Sequence, residues 1–436
     1  MMFKRLEIRT ILIKLSVLGI IILLSTTPSF AINIDEAIDL AIQNSLEVQI
    51  ETRKTEYTSL SKFEATTDFL PSASLNYRDG TRRTEINSLH DKQKDEVKTL
   101  NISQPLFNGF SGVSKFRESV YQTRSAEQNL KFRKNEIALK VADSYFNILK
   151  YQQISALSDI LIEDYKKLVT LANKKLSLKD ISYDEFSTYE LKAKKNEIDA
   201  NQNKIALTSY QLIFSHLTNQ QPLSLLSPEL PELFAKKNNG NESGVADFVA
   251  IAINQNPKIK SASLANQAKK SAVFAESGKL LPKISINYQS ETQKSSYYFN
   301  GQDVQNKTIY LNFSIPIFQS GIEYSSIVKA NKESQIANLE KQLSIKEVER
   351  DAAEQYQKFL SLKQNLSSAI SAFATATKTL KLANNRFDKK DIGLMDYLLQ
   401  EIDNIETQKQ MIAIKCDYII SYYNLKFLTD EINTKE

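Results

Sequence analysis

Histidine, cysteine and clustered carboxylates carry much of protein chemistry, and this chain offers little of that equipment. Its two histidines, His90 and His216, lie far apart, and Cys416 is its one cysteine. A His/Cys metal cluster cannot be assembled from these, and an intrachain disulfide is impossible. No Gly-rich phosphate loop is present, nor a carboxylate pair at a diagnostic spacing. His90 falls in a polar tip and His216 near a helix end, so both are assigned to structure or solvent. Cys416 shares an apolar helix face with Ile412, Ile419 and Ile420, the place of a small core residue. The expectation is a protein that is not an enzyme and holds no cofactor and no metal. A net charge of +5 over 436 residues implies no nucleic acid.

The chain does say things twice. "LANKKLSLKDI" from Leu171 returns as "LANNRFDKKDI" from Leu382, 211 residues later. "LPSASLNY" from Leu70 returns as "LPKISINY" from Leu281, and "PLF" at Pro105 as "PIF" at Pro316, at the same offset. Three segments in one register mean an internal duplication. The period is too long for a solenoid. The reading is one chain of two equivalent halves, residues 32–221 and 245–436, joined by a Pro- and Gly-rich linker over 222–244.

Gly and Pro are absent between Gly112 and Pro222 and between Gly321 and Gly393. These stretches are rich in helix formers with apolar residues at helical spacing, such as Ile137, Val141, Tyr145 and Ile148. They predict helices over about 111–176 and 321–387, each roughly 100 Å long. A short turn at the repeated "KDI" leads into return helices over about 183–217 and 394–428. Two further helices, over 35–69 and 245–280, precede the "LP" segments. Between "LP" and "P-[LI]-F" the period changes to two. Ala73, Leu75 and Tyr77 alternate with polar residues, as do Ile284, Ile286 and Tyr288, and Ile309, Leu311 and Phe313. That predicts a hairpin per half, over 71–106 and 282–316, with polar tips at 79–96 and 290–307. Pro71, Pro105, Pro282 and Pro316 are placed at strand–helix junctions, where a residue with fixed φ and no N–H fits. Tyr297, Tyr298 and Phe299 read as an interfacial girdle or as wall packing.

The first 31 residues read as a secretory signal. Lys4, Arg5, Arg9 and Lys14 flank an apolar core over 15–24, Pro28 breaks it, and "SFA" offers cleavage after Ala31. The stretch is short for a spanning helix and contains Lys14.

Four strands leave two open edges, which lipid does not tolerate. Alternating faces suit a membrane barrel, and single-chain barrels begin at eight strands, so several copies must share one barrel. The order of elements, with "LPSASLNY", "SQPLFNGF", "NQNP", "LLPKISINY", "SIPIFQSG" and "NNRFDKKDIGLMDYL", resembles the TolC-type outer membrane efflux family across about 34–428. That resemblance implies an α+β membrane protein. Its homotrimer would build a 12-stranded barrel, four strands per chain, in the cell outer membrane. A long α-helical coiled-coil barrel would continue it across the periplasm. It implies a passive exit duct for small molecules or proteins, working with a periplasmic membrane-fusion adaptor and an inner-membrane efflux or ABC-type transporter, and contacting outer membrane lipids.

The resemblance also makes the repeated turn the periplasmic mouth. Acidic residues of the family's constriction fall at Glu185 and Asp396, and its gating aromatic at Phe387. Lys179, Asp180, Ile181, Lys390, Asp391, Ile392 and Gly393 form the adaptor-docking tip. The chain departs from the family in having Lys179 and Lys390 where glycine is usual, and Ile392 where a basic gating residue stands. Phe387 also lacks a hydroxyl. Lys174, Lys175, Lys179, Lys389 and Lys390 are candidates to supply ion pairs instead, and also complement helix C-terminal dipoles. A periplasmic or surface coiled-coil protein shares the signal and the helices but leaves the hairpins unexplained. A secreted enzyme lacks a catalytic cluster.

Overall fold

The computed structural model describes residues 33–86, 89–220, 244–295, 303–318 and 321–432, without the side chains of 82–95, 295 and 303. The signal, nearly all of the linker, Tyr297–Phe299 and the side chain of His90 therefore lie outside the described residues. In chain order the elements are α1 (Ile34–Asn44), α2 (Leu46–Thr67), β1 (Ser72–Ile86), β2 (Leu89–Asn108), α3 (Ser111–Ser177), α4 (Tyr183–Thr218), α5 (Val245–Gln255), α6 (Pro257–Gly278), β3 (Lys283–Ser295), β4 (Asp303–Ser314), α7 (Ile322–Asp388) and α8 (Leu394–Leu428).

The duplication persists at the level of backbone and hydrogen bonds. The helix expected over 35–69 is broken at Ser45, and that over 245–280 at Asn256. These two positions are again 211 apart. Each side chain caps the helix that follows: Ser45 Oγ accepts from Val48 N at 3.3 Å and Asn256 Oδ1 from Lys258 N at 3.0 Å. Pro257 at the first helical position completes the second break. Thr218 and Thr429 donate to Phe214 O and Leu425 O, and the residues after them, Asn219 and Asp430, both turn left-handed.

Two compact units emerge, and each takes segments from both halves of the chain. Of the described residues, those within 33–44, 137–220 and 359–423 form one, and those within 45–136, 244–358 and 424–432 form the other. In the first, Leu161, Tyr165, Leu168 and Ala172 of α3 pack against Met395, Ile402 and Ile405 of α8, with Phe186 and Tyr189 of α4 beside them. Met395, Leu398, Ile402, Ile405, Ile412, Cys416 and Ile419 are all buried on α8 at alternating three- and four-residue steps, a coiled-coil seam. Lys409 takes one place in that seam, and burial lowers the pKa of its ammonium. Burial also pushes the Cys416 thiol up to about 11, so it stays protonated and inert.

The second unit holds the sheet, ordered β1-β2-β3-β4 and antiparallel throughout. Its register puts one set of side chains on one face. Leu75 lies opposite Leu100, Ala73 opposite Ile102, Ile102 opposite Tyr288, Tyr288 opposite Ile309, Ile286 opposite Leu311 and Ile284 opposite Phe313. Ser74, Asn101, Gln289 and Thr308 form a matching row on the other face. The tips expected at 79–96 and 290–307 are shorter than the sequence reading gave. Gly80 pairs with Asp95 within the ladder, and the first hairpin remains paired out to Ile86 and Leu89. Backbone pairing needs no apolar face, so polar residues extend the strands.

Pro71 and Pro282 immediately precede β1 and β3, and Pro316 follows β4. Pro105 differs from the junction expected of it: it lies inside β2, beside a bulge between Pro105 and Phe107. The β1 ladder already ends at Ser72 opposite Ser103. A bulge beyond the end of one ladder is where a strand tolerates a residue without an N–H. The bulge returns Phe107 to the apolar face, opposite Ile284.

Above the sheet, α2, α3, α6 and α7 are joined in sequence by side chains. Thr123 of α3 donates to Thr58 O of α2. Ser125 and Ser261 exchange hydrogen bonds between α3 and α6 at 3.0 and 3.1 Å. Lys269 of α6 bonds Glu333 of α7 at 2.8 Å.

Candidate functional site: the repeated turns

Both turns lie in the first unit. Each closes a long helix in the same way. Lys179 N donates to Leu176 O and Asp180 N to Lys175 O; Lys390 N donates to Phe387 O and Asp391 N to Arg386 O. This pair of bonds is the Schellman motif, which requires a left-handed residue at its centre. Lysine fills that place twice, with φ of 63° and 61°.

The return helices begin with caps. Ser182 Oγ accepts from Glu185 N at 3.1 Å, and Asp396 Oδ2 accepts from Gly393 N at 3.3 Å. Asp396 is thus a capping residue as well as an exposed carboxylate. The Tyr189 hydroxyl donates to Glu185 Oε1 at 3.2 Å. Burial raises the Tyr189 pKa, followed by that hydrogen bond and by the charges of Glu185 and Asp396. One tyrosine therefore feels both sequence-predicted acids. Its spacing of four from Glu185 on a helix was the available signal.

Phe387 stacks on Tyr397, with ring centroids 5.2 Å apart and planes 25° apart. A tyrosine ring of the next helix therefore lies against Phe387. Ile181 packs against the α3/α8 core, whereas Lys179, Asp180, Lys390, Asp391 and Gly393 are exposed and Ile392 is half-buried. The five tip lysines are exposed, and among the described residues none of them forms an ion pair within the chain.

The sequence reading missed a polar set beneath the turns. Asp164 is 3% exposed within the α3/α8 packing. Its Oδ1 accepts from Lys167 Nζ at 2.9 Å, and its Oδ2 has no partner. Burial and the Asp164 charge raise the pKa of Glu401, against the pull of Lys167. The Tyr165 hydroxyl donates to Glu406 Oε1 at 2.8 Å. The Tyr165–Glu406 hydrogen bond joins α3 to α8, and the Asp164 and Glu401 charges oppose each other across the same pair of helices.

Carboxylates, tyrosine hydroxyls and a stacked aromatic pair at a helix turn can hold a conformation and present charge. Comparison with solved structures decides what fold carries them. The chain superposes on CusC with a TM-score of 0.73 at 15% identity, over 92% of each chain. It superposes on the Campylobacter jejuni CmeC outer membrane channel with a TM-score of 0.71 at 16% identity, over 93% of this chain and 87% of that one. This chain has the fold of the TolC-type outer membrane efflux channels. The Neisseria gonorrhoeae MtrE outer membrane channel, in its open state, also matches, at 0.68 and 14% identity over 93% and 90%. Residues 249–429 independently match the family of outer membrane efflux proteins. No curated protein sequence matches the chain.

Proposed function

We propose that this chain is the outer membrane exit duct of a tripartite export system, with three copies completing one 12-stranded barrel. The observation that carries the reading is the sheet. All four strands put most of their apolar residues on one face by register, with Val97 and Val304 on the other, and among the described residues β1 and β4 each have a neighbour on one side only. Lipid demands that such edges be paired, and further copies of the chain can pair them. A second support comes from α4. Leu191, Ile198, Ile205 and Leu212 are exposed at seven-residue intervals, an unpartnered seam of the kind that packs against another helix.

In this reading Glu185, Asp396 and Phe387 form the periplasmic gate, and 179–181 with 390–393 form the tip where a membrane-fusion adaptor docks. An inner-membrane transporter of the efflux or ABC type delivers the cargo, small molecules or proteins. Three copies bring three sets of carboxylates around one axis, where like charges repel unless cations or an open mouth separate them. The test is purification from membranes, native mass measurement and insertion into a planar bilayer. A three-chain assembly with stable single-channel conductance is expected. A water-soluble single chain that never conducts overturns the reading.

A further inference from the structure

A groove runs between the start of α3 and the end of α6, within the second unit. Its end nearest the sheet is apolar. Phe110 and Phe274 are 62% and 69% exposed, with Val113 and Leu281 beside them. Its other end carries Arg117, Lys270 and Arg124, all exposed, and no acidic residue lines it. Among the described residues none of these three cations is held in an ion pair. α3 and α6 run antiparallel from the close approach of Gly109 and Gly278. Arg117 and Lys270 each lie eight residues from it, so both sit at one level, roughly 12 Å along their helices.

The groove continues the apolar face of the sheet. The bulge places Phe107 on that face opposite Ile284. Phe107 meets Phe110 edge-on, with centroids 5.0 Å apart. The groove also belongs to the middle of the chain. It follows β2 and precedes β3, the two central strands, while neighbouring copies would join at β1 and β4.

We infer that this groove binds one anionic glycerophospholipid, its acyl chain along Phe107, Phe110 and Phe274 and its phosphate between Arg117 and Lys270. The inference rests on the proposed function, because it takes the apolar face of the sheet to meet lipid. Apolar surface followed within a few turns by cations is the order in which a bilayer presents acyl chains and then phosphate. Three cations without a carboxylate favour a headgroup with no positive charge of its own.

The test is native mass spectrometry of the full assembly with dioleoyl phosphatidylglycerol or dioleoyl phosphatidylcholine added. The expected result is a retained phosphatidylglycerol adduct at least tenfold more abundant than the phosphatidylcholine one. Arg117→Gln/Lys270→Gln loses it, Phe274→Ala weakens it, and Lys378→Gln/Lys381→Gln keeps it. Equal retention of the two lipids, or full retention by the Arg117→Gln/Lys270→Gln variant, overturns the inference. So does binding of inorganic phosphate alone with no lipid adduct. A conducting three-chain assembly that holds no lipid overturns only this inference; a water-soluble single chain overturns the duct as well.

Discussion

Lys179 and Lys390 stand 211 residues apart and share one left-handed backbone conformation, each at the centre of a Schellman turn. A side chain with a Cβ is strained there, and glycine is not. Lys179→Gly and Lys390→Gly should each stabilise the folded chain by about 1 kcal/mol, and the double variant by about the sum if the turns are independent. Thermal unfolding measures this. A fall in Tm for either variant would mean that the lysine side chain makes a contact in the assembly worth more than the strain.

Phe387 and Tyr397 join the end of α7 to the start of α8 by stacking, a contact worth about 1 kcal/mol beyond its buried area. Phe387→Ala should loosen this turn and raise the open probability of the reconstituted channel several-fold. Phe387→Tyr keeps the stack and should leave conductance near the starting value. Equal conductance in Phe387→Ala and the unaltered chain excludes the pair from gating.

Much of this fold was legible because duplication and periodicity are carried by residue type. Both long helices end within two residues of the positions that their unbroken patterns gave, since neither Gly nor Pro interrupts them. The breaks at Ser45 and Asn256 were harder to see. Ser45 offers no proline, and its effect arises from one side-chain hydrogen bond. Pro105 misled because a proline beside a bulge looks, in sequence, like one at a strand end. At the repeated turns, the aromatic and the acids came from family resemblance, but Tyr189, Tyr397 and the Asp164–Glu401 set depend on which helices face each other. Spacing along one chain does not contain that information, and the 3% exposure of Asp164 could not be read from its neighbours.

The Asp164–Glu401 set predicts a pH dependence. Burial first, and then Asp164, raise the folded pKa of Glu401 above the ordinary value of 4.5. A carboxyl with a raised folded pKa contributes stability below its unfolded pKa and loses it as pH rises through the folded one. Charging Glu401 therefore sets two carboxylates against each other between α3 and α8. Glu401→Gln should unfold at nearly the same temperature as the unaltered chain near pH 4. It should become the more stable of the two as pH rises toward about 7. Hydrogen exchange over residues 161–172 locates the effect. A Tm difference that does not change with pH excludes this pair as the cause.

Gly109 and Gly278 let two chain segments of the second unit meet backbone to backbone. A Cβ on Gly278 would be driven into the Gly109 carbonyl oxygen and would meet Ser111 N at 3.0 Å. Both obstacles are backbone, and neither can swing aside as a side-chain end could. Gly109 is also left-handed, with φ of 68°, so a substitution there adds strain to the clash. Gly278→Ala should cost about 3 kcal/mol or more, because α3 and α6 must move apart where they join the central strands. Gly80 is the control: it has open space around its α-carbon, so Gly80→Ala should shift Tm little. The measurement is the yield and Tm of assembled channel in detergent. If Gly278→Ala assembles as well as Gly80→Ala, the helices have room to separate and the junction is not rigid.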